Sequence, residues 1–190
     1  MRKYILALVP MTLLCAVEVQ AIPITFTTFM TGAAENPSNP SLGTGVATVI
    51  YDATTHELIV NATFADLTGT TTASHIHCCT NPPGNVGVAT ELPFFAGFPI
   101  GVTSGIYDHT FDLTLAGSWN PAFVTANGGI AGAEAALAAG LASGRSYFNI
   151  HTTFRPGGEI RGFLVPEPAT LGLIGIGIGT LAFARRKRRA

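Results

Sequence analysis

Between Ile22 and Val165 the chain carries short runs rich in Thr, Val, Ile and Phe, in which polar and apolar positions partly alternate. Ile24–Met30, Gly45–Tyr51 and Glu57–Phe64 show this most clearly, and a period of two is that of a strand with one buried face. Asp52 to His56 is a polar connector between two such runs and predicts a hairpin. Ser74–Cys78, Ile106–Leu115, Tyr147–Thr152 and Glu159–Leu164 supply further strands, and Gly and Pro gather densely in Asn81–Gly87 and Pro93–Gly101, which read as loops. Ile130 to Ala142 departs from the pattern. It is alanine-rich, with Leu137 and Leu141 one helical turn apart, and predicts a short helix covering one end of the sheet. The expected fold is mainly β, an antiparallel β-sandwich with one short helix. Solenoid repeats, heptads and a phosphate-binding glycine loop are absent from the sequence.

The two ends have a different character and divide the chain into residues 1–21, 22–165 and 166–190. Met1-Arg2-Lys3, an apolar run from Tyr4 to Val17 and then Val19-Gln20-Ala21 are the basic head, apolar middle and small-x-small site of a signal peptide. Cleavage by signal peptidase is expected after Ala21. A retained anchor is the alternative, but the run is shorter than the ~20 residues that span a bilayer. Leu14 before Cys15 is too bulky for a lipoprotein site. At the other end Pro166-Glu167-Pro168 is followed by an uncharged, mostly apolar stretch from Ala169 to Ala184, then by Arg185, Arg186, Lys187, Arg188 and Arg189. Proline lacks an amide proton and biases its predecessor to extended geometry, so the tripeptide is expected to stay unpaired and accessible. The basic cluster is expected to remain cytoplasmic while the domain lies outside.

This tripartite tail resembles the PEP-CTERM sorting signal. The resemblance implies an inner-membrane intermediate held by the C-terminal helix, recognition by an exosortase, and cleavage near Pro166-Glu167-Pro168. It also implies a Gram-negative, exopolysaccharide-making bacterium, with delivery to the cell surface or matrix. An ordinary C-terminal anchor is the alternative.

Charge narrows the partners. Between Ile22 and Val165 three arginines face nine carboxylates, a net charge of −6, and there is no lysine. A domain of that sign has no electrostatic means of collecting phosphates, so nucleic acid is excluded.

Three landmarks follow in order: Phe29-Met30-Thr31-Gly32-Ala33-Ala34-Glu35-Asn36-Pro37, then Ala73-Ser74-His75-Ile76-His77, then Tyr147-Phe148-Asn149-Ile150-His151-Thr152 with Pro156-Gly157-Gly158-Glu159-Ile160-Arg161-Gly162. Together they resemble the CHRD domain, over nearly the whole segment between the two signals. The resemblance implies an immunoglobulin-like β-sandwich placed outside the cell, and carries no established activity with it.

His75 and His77 stand two apart in a predicted strand, so both imidazoles project from one face. His151 lies in a distant strand of similar local context, and if the strands are neighbours the three form a His₃ site suited to copper or zinc. The alternative is three imidazoles that donate to backbone carbonyls and lock loops without a metal. A dismutase-type dinuclear site would need more ligands, and only His56 and His109 remain, both in turn-like contexts. Cys78 and Cys79 directly follow His77. They read as a vicinal disulfide, as links to other chains, or as extra soft ligands for copper. Glu159 and Arg161, also two apart, read as an ion pair that helps strand register. Trp119, Phe94, Phe95, Phe98 and Phe123 read as core, with a sugar-stacking surface as the alternative. Since no nucleophile–base pair stands out, the leading expectation is a non-enzymatic surface or matrix protein. A copper or zinc metalloprotein and an exopolysaccharide binder compete with it.

Overall fold

The structure is a computed structural model and describes residues 22–167. The signal peptide with its Ala21 site, Pro168, the apolar tail and the Arg185–Arg189 cluster lie outside the described residues. No helix among the described residues is long and apolar enough to cross a membrane.

The strands are β1 (Ile24–Thr31), β2 (Thr44–Asp52), β3 (Glu57–Ala65), β4 (Thr71–Cys78), β5 (Gly105–Asp112), β6 (Ser146–Thr152), β7 (Ile160–Phe163) and β8 (Val165–Pro166). They form one continuous sheet in the order β4-β6-β7-β1-β2-β3-β5, with β8 also on β1. Every pairing is antiparallel. The sheet curls, so the architecture is mainly β and of the β-sandwich class, as the alternation predicts. The β2–β3 hairpin falls at the polar connector, where the Asp52 carboxylate accepts from the amides of Thr54 and Thr55.

Among the described residues two α-helices accompany the sheet. The helix α2 (Ile130–Ala142) has the predicted bounds. It packs over one end of β4 and β6, where a β-carbon at Gly140 would strike the sulfurs of Cys78 and Cys79 and the hydroxyl of Ser146. A glycine is therefore required for that close approach. The preceding helix α1 (Pro121–Ala126) was not among the expected elements. Its cue is Asn120-Pro121, in which the Asn120 side chain caps the Ala122 amide and proline occupies the first turn.

The core joins Phe26 and Met30 of β1, Val49 of β2, Leu58 and Val60 of β3, Ile76 of β4, Phe148 and Ile150 of β6, and Ile160 of β7. Trp119, Phe95 and Phe98 are buried within it and Phe123 packs against it, while Phe94 is half-buried. These aromatics therefore belong to the interior more than to a sugar platform. The edge strand β4 is covered by the segment after it: the Ala89 amide donates to Ile76 O, Phe95 to Ser74 O, and Cys78 to Gly87 O. An exposed edge would invite pairing with another chain, and the loop removes it.

Two expectations change. Glu159 and Arg161 are both fully buried, but they are not partners. The Glu159 carboxylate accepts from Ser41 Oγ and Thr152 Oγ1, each at 2.5 Å, and from the amides of Thr68 (2.6 Å) and Gly69 (3.0 Å). Arg161 reaches other loops, described below. Pro166 does pair in the sheet, opposite Phe26. Leu164 is the last residue of this stretch to donate to β6, at Ser146 O, and the Glu167 amide donates to Thr25 O. The missing proton of Pro166 is therefore not needed on the β1 side, and an edge position tolerates proline.

Burial alone would raise the Glu159 pKa, but its four hydrogen bonds outweigh that and hold it below the ordinary carboxylate range. A depressed carboxylate contributes stability above its unfolded pKa and loses it as pH falls through the folded value. Glu159→Gln is thus expected to cost about 3 kcal/mol at pH 7. That difference from wild type should shrink below about pH 4, as read from urea midpoints at the two pH values.

Candidate metal centre

Strands β4 and β6 are buried on both faces, which strand alternation alone does not require. One face carries Ile76, Phe148 and Ile150 into the core. The ladder pairs His75 with Asn149, His77 with Tyr147 and Ala73 with His151. Directly opposed residues share a face, so the opposite side of the same strands presents His75, His77, Tyr147, Asn149 and His151 together. The next pairing, Asn149 with Arg161, adds the guanidinium to that face. The polar side is roofed by the glycine- and proline-rich loops.

The expected trio is brought together. Ring centroids are 5.2 Å apart for His75–His151 and 5.9 Å for His75–His77 and His77–His151. One ring nitrogen from each lies within 4.8 Å of the other two. Each ring also meets a roof carbonyl at 2.8 Å: His75 Nε2 with Pro93 O, His77 Nδ1 with Val86 O, and His151 Nδ1 with Pro156 O. A carbonyl only accepts, so each of those nitrogens carries the proton and the other holds a lone pair. The remaining nitrogens, His75 Nδ1, His77 Nε2 and His151 Nε2, are buried without a hydrogen-bond partner. Burial lowers the pKa of His75 and His77 to about 4, against the opposing pull of their carbonyl partners, and it lowers that of His151 too. All three rings are therefore neutral at pH 7, the form that ligates a metal.

The surroundings hold this arrangement in place. Tyr147 stacks on His77 (4.6 Å between centroids, 8° between planes), and its hydroxyl donates to Val86 O at 3.2 Å, the carbonyl that His77 also uses. Arg161 lies over the Tyr147 ring at 4.8 Å. Its guanidinium donates to Ala34 O (2.7 Å), Asn85 Oδ1 (2.6 Å) and Pro83 O (2.8 Å), which ties down two roof loops at once. Glu35 Oε2 is 3.7 Å from Arg161 Nε. Burial pushes the Glu35 pKa up to about 7 despite that cation. A cavity of about 430 Å³ adjoins, lined by Glu35, Asn36, Asn39, Asn85, Arg155 and Gly158, on the loop that also carries Pro156.

The cysteines and the two remaining histidines go elsewhere. The Cys78 and Cys79 sulfurs are bonded to each other and lie against Ala136 O and Gly140 of α2, on the core side of β4. His56 Nδ1 pairs with the Glu134 carboxylate at 2.9 Å, and His109 packs on Phe111. Tyr147, Asn149 and the three carbonyls were not among the expected site residues. The alternation Tyr147-x-Asn149-x-His151 was a usable cue for the first two; nothing in the sequence pointed to the carbonyls.

A family model for the CHRD domain matches residues 26–164. The chain belongs to the CHRD-domain family. A second model, the PEP-CTERM protein-sorting motif, matches residues 164–189. That motif marks the CHRD domain for exosortase processing and for the surface or exterior of a Gram-negative bacterium. No characterised protein and no solved structure matches the chain. The three segments on which the sequence resembles the CHRD domain, far apart in the chain, meet at the roofed face. They contribute Glu35, then His75 and His77, then Asn149, His151 and Arg161.

An imidazole with a depressed pKa contributes stability above its ordinary pKa of about 6.5 and loses it as pH falls through the folded value. The metal-free CHRD domain is therefore expected to lose stability steadily from about pH 6.5 down to about pH 4. In a His75→Gln, His77→Gln variant that loss should be smaller by at least about 1 kcal/mol, measured as the slope of urea midpoint against pH.

Proposed function

We propose that this protein is an exported CHRD-domain protein that binds one transition-metal ion, copper or zinc, through His75, His77 and His151, and acts at the cell surface by binding rather than catalysis. One observation carries the reading: all three rings spend their proton on a loop carbonyl, each is left with a buried, unpartnered nitrogen, and one ring nitrogen from each lies within 4.8 Å of the other two. A histidine that only staples a loop needs one such bond. Leaving three acceptors buried and unmet would cost about 1–3 kcal/mol each, and a shared ion would remove that cost. The carbonyls are the orienting partners that metal-bound imidazoles ordinarily have. His56 and His109, engaged elsewhere, lend no support to a second metal position of the dismutase kind.

The finer reading of the fold is immunoglobulin-like, with residues 22–165 as the functional unit. Signal peptidase acts at Ala21, the apolar tail holds an inner-membrane intermediate, and exosortase cleaves near Pro166-Glu167-Pro168. Exopolysaccharide is the matrix around the released domain. The tripartite tail and its family match support this route.

Calorimetric titration of the purified domain with copper and zinc should give one ion per chain. His75→Ala and His151→Ala should each weaken binding at least about 100-fold. No heat with wild type, or equal heat with the variants, removes the metal reading. Processing is checked by the mass of the released protein, which should lack Arg185–Arg189; a mass that retains them identifies an ordinary anchor.

A further inference from the structure

We infer that the histidine cluster is a monovalent copper site, holding Cu(I) in three-coordinate, neutral nitrogen ligation in preference to Cu(II) or Zn(II). This rests on the reading that the cluster binds a transition metal, and names which ion and charge it selects.

The donor set is the first ground. Among the described residues the cluster comprises three histidines and no carboxylate or thiolate, so a bound ion keeps its full charge. The cost of moving an ion from water into a protein interior is set by its Born energy, which grows with the square of the charge. In the same cavity a divalent ion costs about four times as much as a monovalent one. His75 and His77 are 5% and 8% exposed, and the unpartnered nitrogens are buried, so solvent does little to reduce that difference.

The second ground is the charge around the cluster. The permanent cation Arg161 stands behind His77 with only the Tyr147 ring between them. The nearby carboxyl, Glu35, is engaged with Arg161 and is itself driven towards its neutral form by burial. Glu159 directs both oxygens to Ser41, Thr68, Gly69 and Thr152. The Cys78–Cys79 sulfurs are bonded together on the other side of β4 and supply no thiolate. The field at the cluster is therefore neutral to positive, which disfavours a second positive charge on the ion.

The third ground is coordination. Zinc in proteins is almost always four-coordinate, taking a water or anion when only three side chains bind it. Three buried nitrogens at this spacing suit an ion content with three ligands. Cu(I), a d¹⁰ monovalent ion, is such an ion and accepts imidazole.

The test is an anaerobic titration of the metal-free processed protein with Cu(I), in competition with a chromophoric Cu(I) chelator, beside calorimetric titrations with Cu(II) and Zn(II). Cu(I) is expected to bind one per chain, at least about 100-fold more tightly than either divalent ion, with binding abolished in His77→Ala. Asn149→Asp places a carboxylate opposite His75 and should narrow the Cu(I)-over-Cu(II) ratio at least about tenfold. Tighter binding of Cu(II) or Zn(II) at the same three histidines overturns the Cu(I) assignment and leaves the metal reading standing. Failure of all three ions overturns both. An unchanged ratio in a folded Asn149→Asp protein overturns the electrostatic basis of the selection.

Discussion

Burying both faces of β4 and β6 is the constraint from which the site follows. A half-exposed strand can place polar side chains in water, but here loops cover most of that side as well, burying His75, His77, Tyr147 and Asn149 and leaving His151 half-buried. Each imidazole, amide and hydroxyl on the covered face must then find a partner within the protein or leave an unmet group. Loops that make few ladder hydrogen bonds have carbonyls to offer, and Val86, Pro93 and Pro156 each meet one ring. A neutral imidazole has a single proton, so satisfying one nitrogen in this way commits the other to a lone pair. Three rings treated alike produce a nitrogen-lined centre.

Two buried charges at the start of β7 hold the roof and the floor together. Glu159 gathers the amides of the Thr68–Gly69 turn, and Arg161 clamps the Ala34 and Pro83–Asn85 segments. Each charge is distributed over several hydrogen bonds, which is how a buried ion is tolerated away from a direct partner. The second of these loops carries Val86, so Arg161 acts on His77 through the backbone as well as through the Tyr147 stack. Three segments that lie far apart in the chain, carrying Glu35, His75 with His77, and Asn149 with His151 and Arg161, meet in this one assembly. The sorting tail begins where the chain leaves β7 and continues along the same neighbour, with Val165–Pro166 paired to β1 in the register of Arg161 with Thr31.

Most of the strands and the whole of α2 were legible in the sequence, because period-two alternation and an alanine-rich helix with paired leucines are local signals. The pairing of His75 with His77 was legible for the same reason, since residues two apart on a strand share a face. His151 was recognisable as a third candidate by its context, and the sorting tail by its composition. Tertiary structure decided the rest. Only the pairing of β4 with β6 brings His151 to the other two, and only the path of the loops selects which ring nitrogen loses its lone pair to a proton. The two-residue spacing of Glu159 and Arg161 suggested a pair, but a turn entering β7 sends them to different loops. Adjacency of Cys79 to the histidines suggested a ligand, but alternation turns Cys78 to the core and the disulfide holds Cys79 beside it. The sequence determined which side chains share a strand face, because that depends on neighbours along the chain; long-range pairing and the loops above it determined which atoms meet.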